Sequence, residues 1–212
     1  YVSGSGWGAS TWGDGTFGSV SGLSASNQLR IWTHDNFGED LVMNVRAGGI
    51  YYWDKSTTLN ARAVVLSDLT NANLPPTLGL QVIVSDIDRH VIVLGADPIN
   101  TAGTGRTDVL DPMFICWCDQ ENITEWEPKS INTAGSVRLS AGSLIVGGIR
   151  ARQEILIWTD TSLYSMKFIG QPFIFSTNLV NEGVGLISPK GMVNSPVGVF
   201  WMDRKGVYLY TG

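Results

Sequence analysis

Carboxylates gathered at tight corners are the first residues in this chain with the makings of chemistry. His34-Asp35-Asn36-Phe37-Gly38-Glu39-Asp40 and Ser85-Asp86-Ile87-Asp88-Arg89-His90 each set acidic side chains beside a histidine. Clustered carboxylates bind calcium, or work as acid and base on either side of a glycosidic bond. Asp160, at a third corner, would join Asp35 and Asp86 in a glycoside-hydrolysing set. Neither stretch has the spaced ligands of a calcium loop, however, and tight corners select Asp and Asn for their own reasons, so turn chemistry is the preferred reading. His34 and His90 fall short of the three or four convergent ligands that zinc needs.

The remaining motifs are weaker. Cys116 and Cys118 lie two apart within FICWCD. On a strand they share a face, which is poor geometry for bridging each other, and they read as two small buried apolar residues. Gly103-Thr104-Gly105-Arg106-Thr107 has the glycines of a phosphate loop but lacks its lysine and the strand-to-helix setting. No Gly-x-Ser-x-Gly occurs, and Asn122-Ile123-Thr124 is a glycosylation acceptor in form only. Arg150/Arg152 and Arg204/Lys205 read as solvated corners that would meet DNA phosphates only if they lined a channel. A net charge of −5 leaves no basic footprint for gripping nucleic acid, although an acidic wall would let DNA slide past without sticking.

The elements that must position these residues are hairpins. Gln153 to Met166 (QEILIWTDTSLYSM) and Pro196 to Tyr210 (PVGVFWMDRKGVYLY) share one design: an apolar run, a corner led by Asp160 or Asp203, and a second run ending on tyrosine. Short runs of Ile, Val, Trp and Tyr between Asp, Thr or Gly corners are the signature of antiparallel hairpins. Glu39 to Trp53 repeats the pattern. Read along the chain, strands are expected at 28–34, 40–45, 49–53 and 61–66; at 79–85, 89–95, 113–118 and 124–126; at 143–149, 151–159, 162–169 and 172–177; and at 183–188, 197–202 and 206–210. Units starting near 28, 79, 143 and 183 bracket the period of about 40–50 residues of propeller blades.

The expected fold is therefore all-β and β-propeller-like, built of consecutive four-stranded antiparallel meander blades and incomplete in this chain. A β-sandwich is the structural alternative. Residues 27–212 would form about three and a half blades of a longer protein, because the fourth lacks an outer strand and the chain starts without Met. Residues 1–26 are Gly-rich, with Trp7, Trp12 and Phe17 each followed by Gly. They read as an extended arm whose rings pack on this or an adjacent subunit. No apolar run reaches the length of a membrane span.

From Trp7 to Gly212 the chain resembles the tail nozzle, or packaged-DNA stabilisation, proteins of short-tailed bacteriophages. The resemblance lies in the order of its phrases: GWGASTWGDGTFG, LRIWTHDNFGEDLVMNVRAGGIYYWD, VIVSDIDRHVIVLGADP, DPMFICWCDQENITEWEP, NTAGSVRLSAGSLIVGG, RQEILIWTDTSLYSMKFIGQPF and VFWMDRKGVYLYTG. It implies a structural virion protein, assembled as a hexamer in the host bacterial cytoplasm below the head–tail adaptor. Distal tail or fibre components would follow it, and double-stranded DNA would pass through without sequence-specific binding. It implies no catalytic residue, cofactor or metal. A carbohydrate-binding propeller for host attachment and a propeller glycoside hydrolase are the alternative functions.

Overall fold

The computed structural model describes residues 30–85 and 87–212, so Trp7, Trp12, Phe17 and Asp86 lie outside the described residues. Among the described residues, fifteen strands form four antiparallel meanders in which each strand pairs with the next in its sheet. The first sheet holds β1 (Trp32–Phe37), β2 (Asp40–Val45), β3 (Ile50–Trp53) and β4 (Val64–Val65). The second holds β5 (Gly79–Val84), β6 (Val91–Ala96), β7 (Phe114–Trp117) and β8 (Gly135–Arg138). The third holds β9 (Ile145–Arg150), β10 (Ile155–Thr159), β11 (Ser162–Gly170) and β12 (Ile174–Glu182), and the fourth has only β13 (Met192–Ser195), β14 (Gly198–Asp203) and β15 (Gly206–Tyr210). The fold is all-β, with propeller-like blades that do not complete a ring among the described residues. Among the described residues the one helical turn is Leu66–Asp68, of 3-10 type, and no helix is long and apolar enough to cross a membrane.

The four sheets belong to one unit, Trp32–Gly212, and stack face to face with a separate core between each pair. Phe37, Val42 and Ile50 of the first sheet meet Val82, Val91 and Val93 of the second. The other face of the second sheet brings Ile92, Leu94 and Trp117 onto Ile155, Ile157 and Met166 of the third. The third sheet turns Leu156, Trp158 and Leu163 toward Val199 and Trp201 of the fourth. Side chains alternate across a strand, so a sheet buried on both faces needs an unbroken apolar run. The runs VIVL in β6 and ILIW in β10 are that requirement written in sequence.

The first strands of successive sheets lie side by side, and side chains join them to backbone. Thr33 Oγ1 accepts the Val82 N–H at 3.2 Å, and Asp35 Oδ2 accepts the Val84 N–H at 2.8 Å. Gln81 donates through Nε2 to the Gly148 carbonyl at 2.7 Å and accepts the Gly148 N–H on Oε1 at 2.9 Å. Asn194 Nδ2 donates to the Arg150 carbonyl at 2.8 Å. Gly148 permits the close approach, since a Cβ there would stand 2.7 Å from Leu94 Cδ1 and 3.1 Å from the Leu156 carbonyl oxygen. Fully burying an Ile or Leu contributes about 1.5–3 kcal/mol, against about 1 kcal/mol net for a neutral hydrogen bond. The cores therefore carry the stability, and the cross-strand bonds set which residues face each other.

Three expected strands are placed differently. The outer strand of the second sheet is β8, at Gly135–Arg138, and the 124–126 stretch is a loop whose Trp126 is buried as a plug, its Nε1 donating to the Ile123 carbonyl at 2.6 Å. Gly135 lets β8 lie on Trp117, whose ring would be 2.4 Å from a Cβ there. The 183–188 stretch is a connector: the Gly183 N–H bonds Thr161 O at 2.8 Å and the Ile187 N–H bonds Met202 O at 3.0 Å, tying the third sheet to the fourth. Gly185 sits so close to the Asp160 carbonyl, 2.1 Å from a Cβ, that no other residue fits. The first strand of the first sheet runs over Trp32–Phe37, a few residues beyond the expected 28–34.

Gln81→Leu removes both bonds to Gly148 while keeping the side chain's bulk. It is expected to lower unfolding stability by about 2–4 kcal/mol, one desolvated backbone donor and one acceptor being left unpaired. Urea denaturation should show a lower midpoint at unchanged slope.

Candidate functional site

The corner carboxylates hold backbone. Asp35 lies within β1, where its Oδ1 also takes the Arg150 Nη2 donor at 3.1 Å. Arg150 Nη1 in turn donates to the Val84 carbonyl at 3.2 Å. Both backbone groups of Val84 are thus held by one ion pair that spans three sheets. Arg150 is committed to this clamp, while Arg152 is exposed and lines a cleft beside it.

Asp160 has a counterpart that sequence reasoning missed. Asp160 accepts the Ser143 N–H at 2.8 Å, the Ser143 hydroxyl at 2.7 Å and the Leu144 N–H at 3.4 Å. Asp97, fully buried, accepts the Thr77 N–H at 2.9 Å, the Thr77 hydroxyl at 2.7 Å and the Leu78 N–H at 3.0 Å. In both cases an Asp at the end of the second strand clasps a Ser/Thr-Leu pair at the start of the first. The spacings of 17 and 20 residues were there to be read as a repeat. Burial alone would raise the Asp160 carboxyl, but the bonds from Ser143 and Leu144 outweigh it and hold it below the usual carboxylate range.

A buried polar chain crosses the second sheet's lower corner. His90 is fully buried, its Nε2 3.0 Å from Thr133 Oγ1, and that hydroxyl donates to Asp119 Oδ1 at 2.7 Å. With its proton given to Asp119, Thr133 must accept from His90, which places the imidazole proton on Nε2. Phe175 meets the ring edge-on at 5.3 Å. Burial pushes the His90 pKa down to about 4, more than offsetting the attraction of Asp119. Cys116 and Cys118 are free and buried, and burial raises their thiols to about 11 and about 12. Arg106, from the glycine-bearing loop, donates to Leu74 O at 2.8 Å and Asp97 O at 2.9 Å, so it fastens that loop to the sheet.

Clefts open on the described surface. One, of about 380 Å³, is lined by Asp88, Arg152, Glu154, Lys167 and Phe168 among others. Both Glu154 oxygens are engaged: Tyr210 donates to Oε1 at 2.9 Å, and the Ser165 hydroxyl and Lys167 share Oε2. Burial, then the bond to Glu154, pushes Tyr210 up to about 12. Asp88, raised by burial, is bonded by the Ser85 hydroxyl at 3.2 Å. The second cleft, of about 580 Å³, has Glu39 paired to Lys55 at 2.6 Å and Arg89 paired to Glu121 at 3.2 Å. Tyr52 donates to Asp40 there and is raised by burial and that bond. Neither cleft is lined by Asp35 or Asp160, whose carboxylates are engaged in the bonds above, and Asp86 lies outside the described residues. His34 is exposed on β1, and among the described residues no three His, Cys, Asp or Glu are grouped to hold a metal.

No protein-family model and no curated protein matches this chain.

Because His90 is neutral when folded but protonates near 6.5 when unfolded, its stabilisation is complete above pH 6.5 and is lost as pH falls toward 4. Asp88, raised in the fold, works in the opposite sense, so the comparison must isolate His90. Between about pH 7.5 and 5 the natural chain is expected to lose about 2 kcal/mol more stability than His90→Gln, measured by urea unfolding at both pH values.

Proposed function

We propose that this chain is a structural component of a short-tailed phage tail nozzle, a wall segment of the DNA conduit rather than an enzyme. The observation that carries the reading is the locking of the first strands. Thr33, Asp35, Gln81, Arg150 and Asn194 spend their polar groups bonding neighbouring sheets. A wall that holds packaged DNA needs this stiffness, and its side chains need not react. The resemblance of its ordered phrases to those of nozzle proteins supports the same reading, as does a net charge of −5, which keeps a passing polyanion from adhering. The protein would act as a hexamer beneath the head–tail adaptor, with distal tail parts below.

Native mass spectrometry of the protein with the adaptor is expected to give a sixfold assembly. A monomer indifferent to the adaptor would overturn the nozzle reading. Replacing Trp7, Trp12 and Phe17 together with Ala is expected to weaken that assembly while leaving the unfolding midpoint of the sheets in place, since large rings concentrate interface energy.

A further inference from the structure

Asp88 carries a buried charge that the fold leaves almost unanswered. Its carboxylate accepts the Ser85 hydroxyl at 3.2 Å and, among the described residues, no backbone N–H. Asp97, the other buried aspartate among them, accepts two backbone N–H groups and a hydroxyl. The turn between β5 and β6 does not need the Asp88 carboxylate. The Arg89 N–H bonds Ser85 O at 2.9 Å and the Ser85 N–H bonds His90 O at 2.9 Å, which closes the turn through backbone alone. Among the described residues no cation pairs with Asp88, and burial raises its carboxyl, so at neutral pH the charge lowers the stability of the fold. A buried acid kept at such a cost in the wall of a cleft marks a place for a ligand.

The cleft of about 380 Å³ that Asp88 lines holds one other uncommitted charge. Arg150 belongs to the Asp35 clamp, and Lys167 is paired with Glu154 at 3.4 Å. Arg152 is exposed and has no ion pair among the described residues, Asp88 included. Two opposite charges therefore stand apart in one cleft, the acid buried and the base open to water. Phe168, 39% exposed, and Phe175 add an apolar wall. We infer that this cleft binds a small zwitterion with an apolar stem, its ammonium on Asp88, its carboxylate on Arg152 and its methylenes against the phenylalanines. The guanidinium fork of Arg152 matches a carboxylate, and a compact ammonium supplies the countercharge that buried Asp88 lacks. An ω-amino acid has this form, and so does a lysine at the C-terminal end of a protein chain. A diamine would meet like charge at Arg152, and a fatty acid would meet it at Asp88. This site goes beyond the conduit-wall reading and does not depend on it.

Isothermal titration of the full chain with ε-aminocaproate is expected to show a single site. Hexylamine and hexanoate, which keep the stem and one charge each, should bind about tenfold more weakly or worse, since each forfeits a charge-assisted bond. Asp88→Asn should lower ε-aminocaproate affinity by about tenfold or more while its urea midpoint stays at or above the natural one, because the lost charge did not serve the fold. Arg152→Gln, at an exposed position, should weaken ε-aminocaproate and hexanoate but not hexylamine. A peptide ending in lysine separates the two sources. Tighter binding than ε-aminocaproate, lost when the peptide end is amidated, assigns the site to a protein terminus, and equal or weaker binding assigns it to a free amino acid. No binding of ε-aminocaproate up to its solubility limit overturns the inference. So does binding of hexylamine or hexanoate as tight as that of the zwitterion, or an Asp88→Asn variant that binds as the natural chain does. Each of these failures leaves the nozzle reading untouched, since that rests on the sixfold assembly with the adaptor.

Discussion

The free edge of each first strand is the constraint from which the rest of this structure follows. Each such edge carries backbone groups with no strand to pair with, and buried backbone groups must be satisfied. Neighbouring first strands are splayed rather than in one sheet, so the bonds are completed by side chains of the right length. Gln81 does this best, because its amide carries both donor and acceptor and so stands in for a residue of a missing strand against Gly148. Asp35 and Arg150 divide the same task between a carboxylate on the Val84 N–H and a guanidinium on its carbonyl. Once these bonds fix how far one sheet may slide on the next, the three cores have only one way to mesh.

That arrangement accounts for the unusual composition. With charged residues at 16%, the chain is poor in charge for a water-facing surface. The middle sheets have no solvent face, so charge is confined to turns, edges and loops. Even there most of it is spent on the fold: Asp97 and Asp160 on strand starts, Arg106 on a long loop, Glu154 on Tyr210 and Ser165. At Asp35 and Asp160, two of the acidic corners that invite a catalytic interpretation, one carboxylate takes two backbone N–H groups.

Much of the architecture was legible in the sequence because two-sided burial leaves an unmistakable trace. VIVL, FICW and ILIW permit neither an amphipathic helix nor a half-exposed strand, and the Asp and Gly corners set their ends. The errors fell where the local signal and the tertiary role part company. GSVR at β8 looks like a loop, and becomes a strand only because Gly135 lets it lie on Trp117. GVGLIS looks like a strand, yet Gly185 serves the close passage over the Asp160 carbonyl. The roles of Gln81, Arg150 and Asn194 were not legible, since each depends on a partner some 44 to 67 residues away. The repeated Ser/Thr-Leu and Asp pairing is legible in principle, but a lone Asp97 at a strand end carries less signal than a cluster of acidic residues.

The Asp97 and Asp160 clasps bear on how such a chain can change over time. Each ties the end of a second strand to the start of the first, so the hairpin they close is complete before the chain proceeds to its third strand. What comes next can vary widely in length. After Asp160 the third strand begins at Ser162, whereas after Asp97 the chain wanders through a long excursion before β7 begins at Phe114. Insertions at that point displace nothing already built. The second-to-third-strand connection is therefore the place where new surface can be added to one blade without disturbing its neighbours.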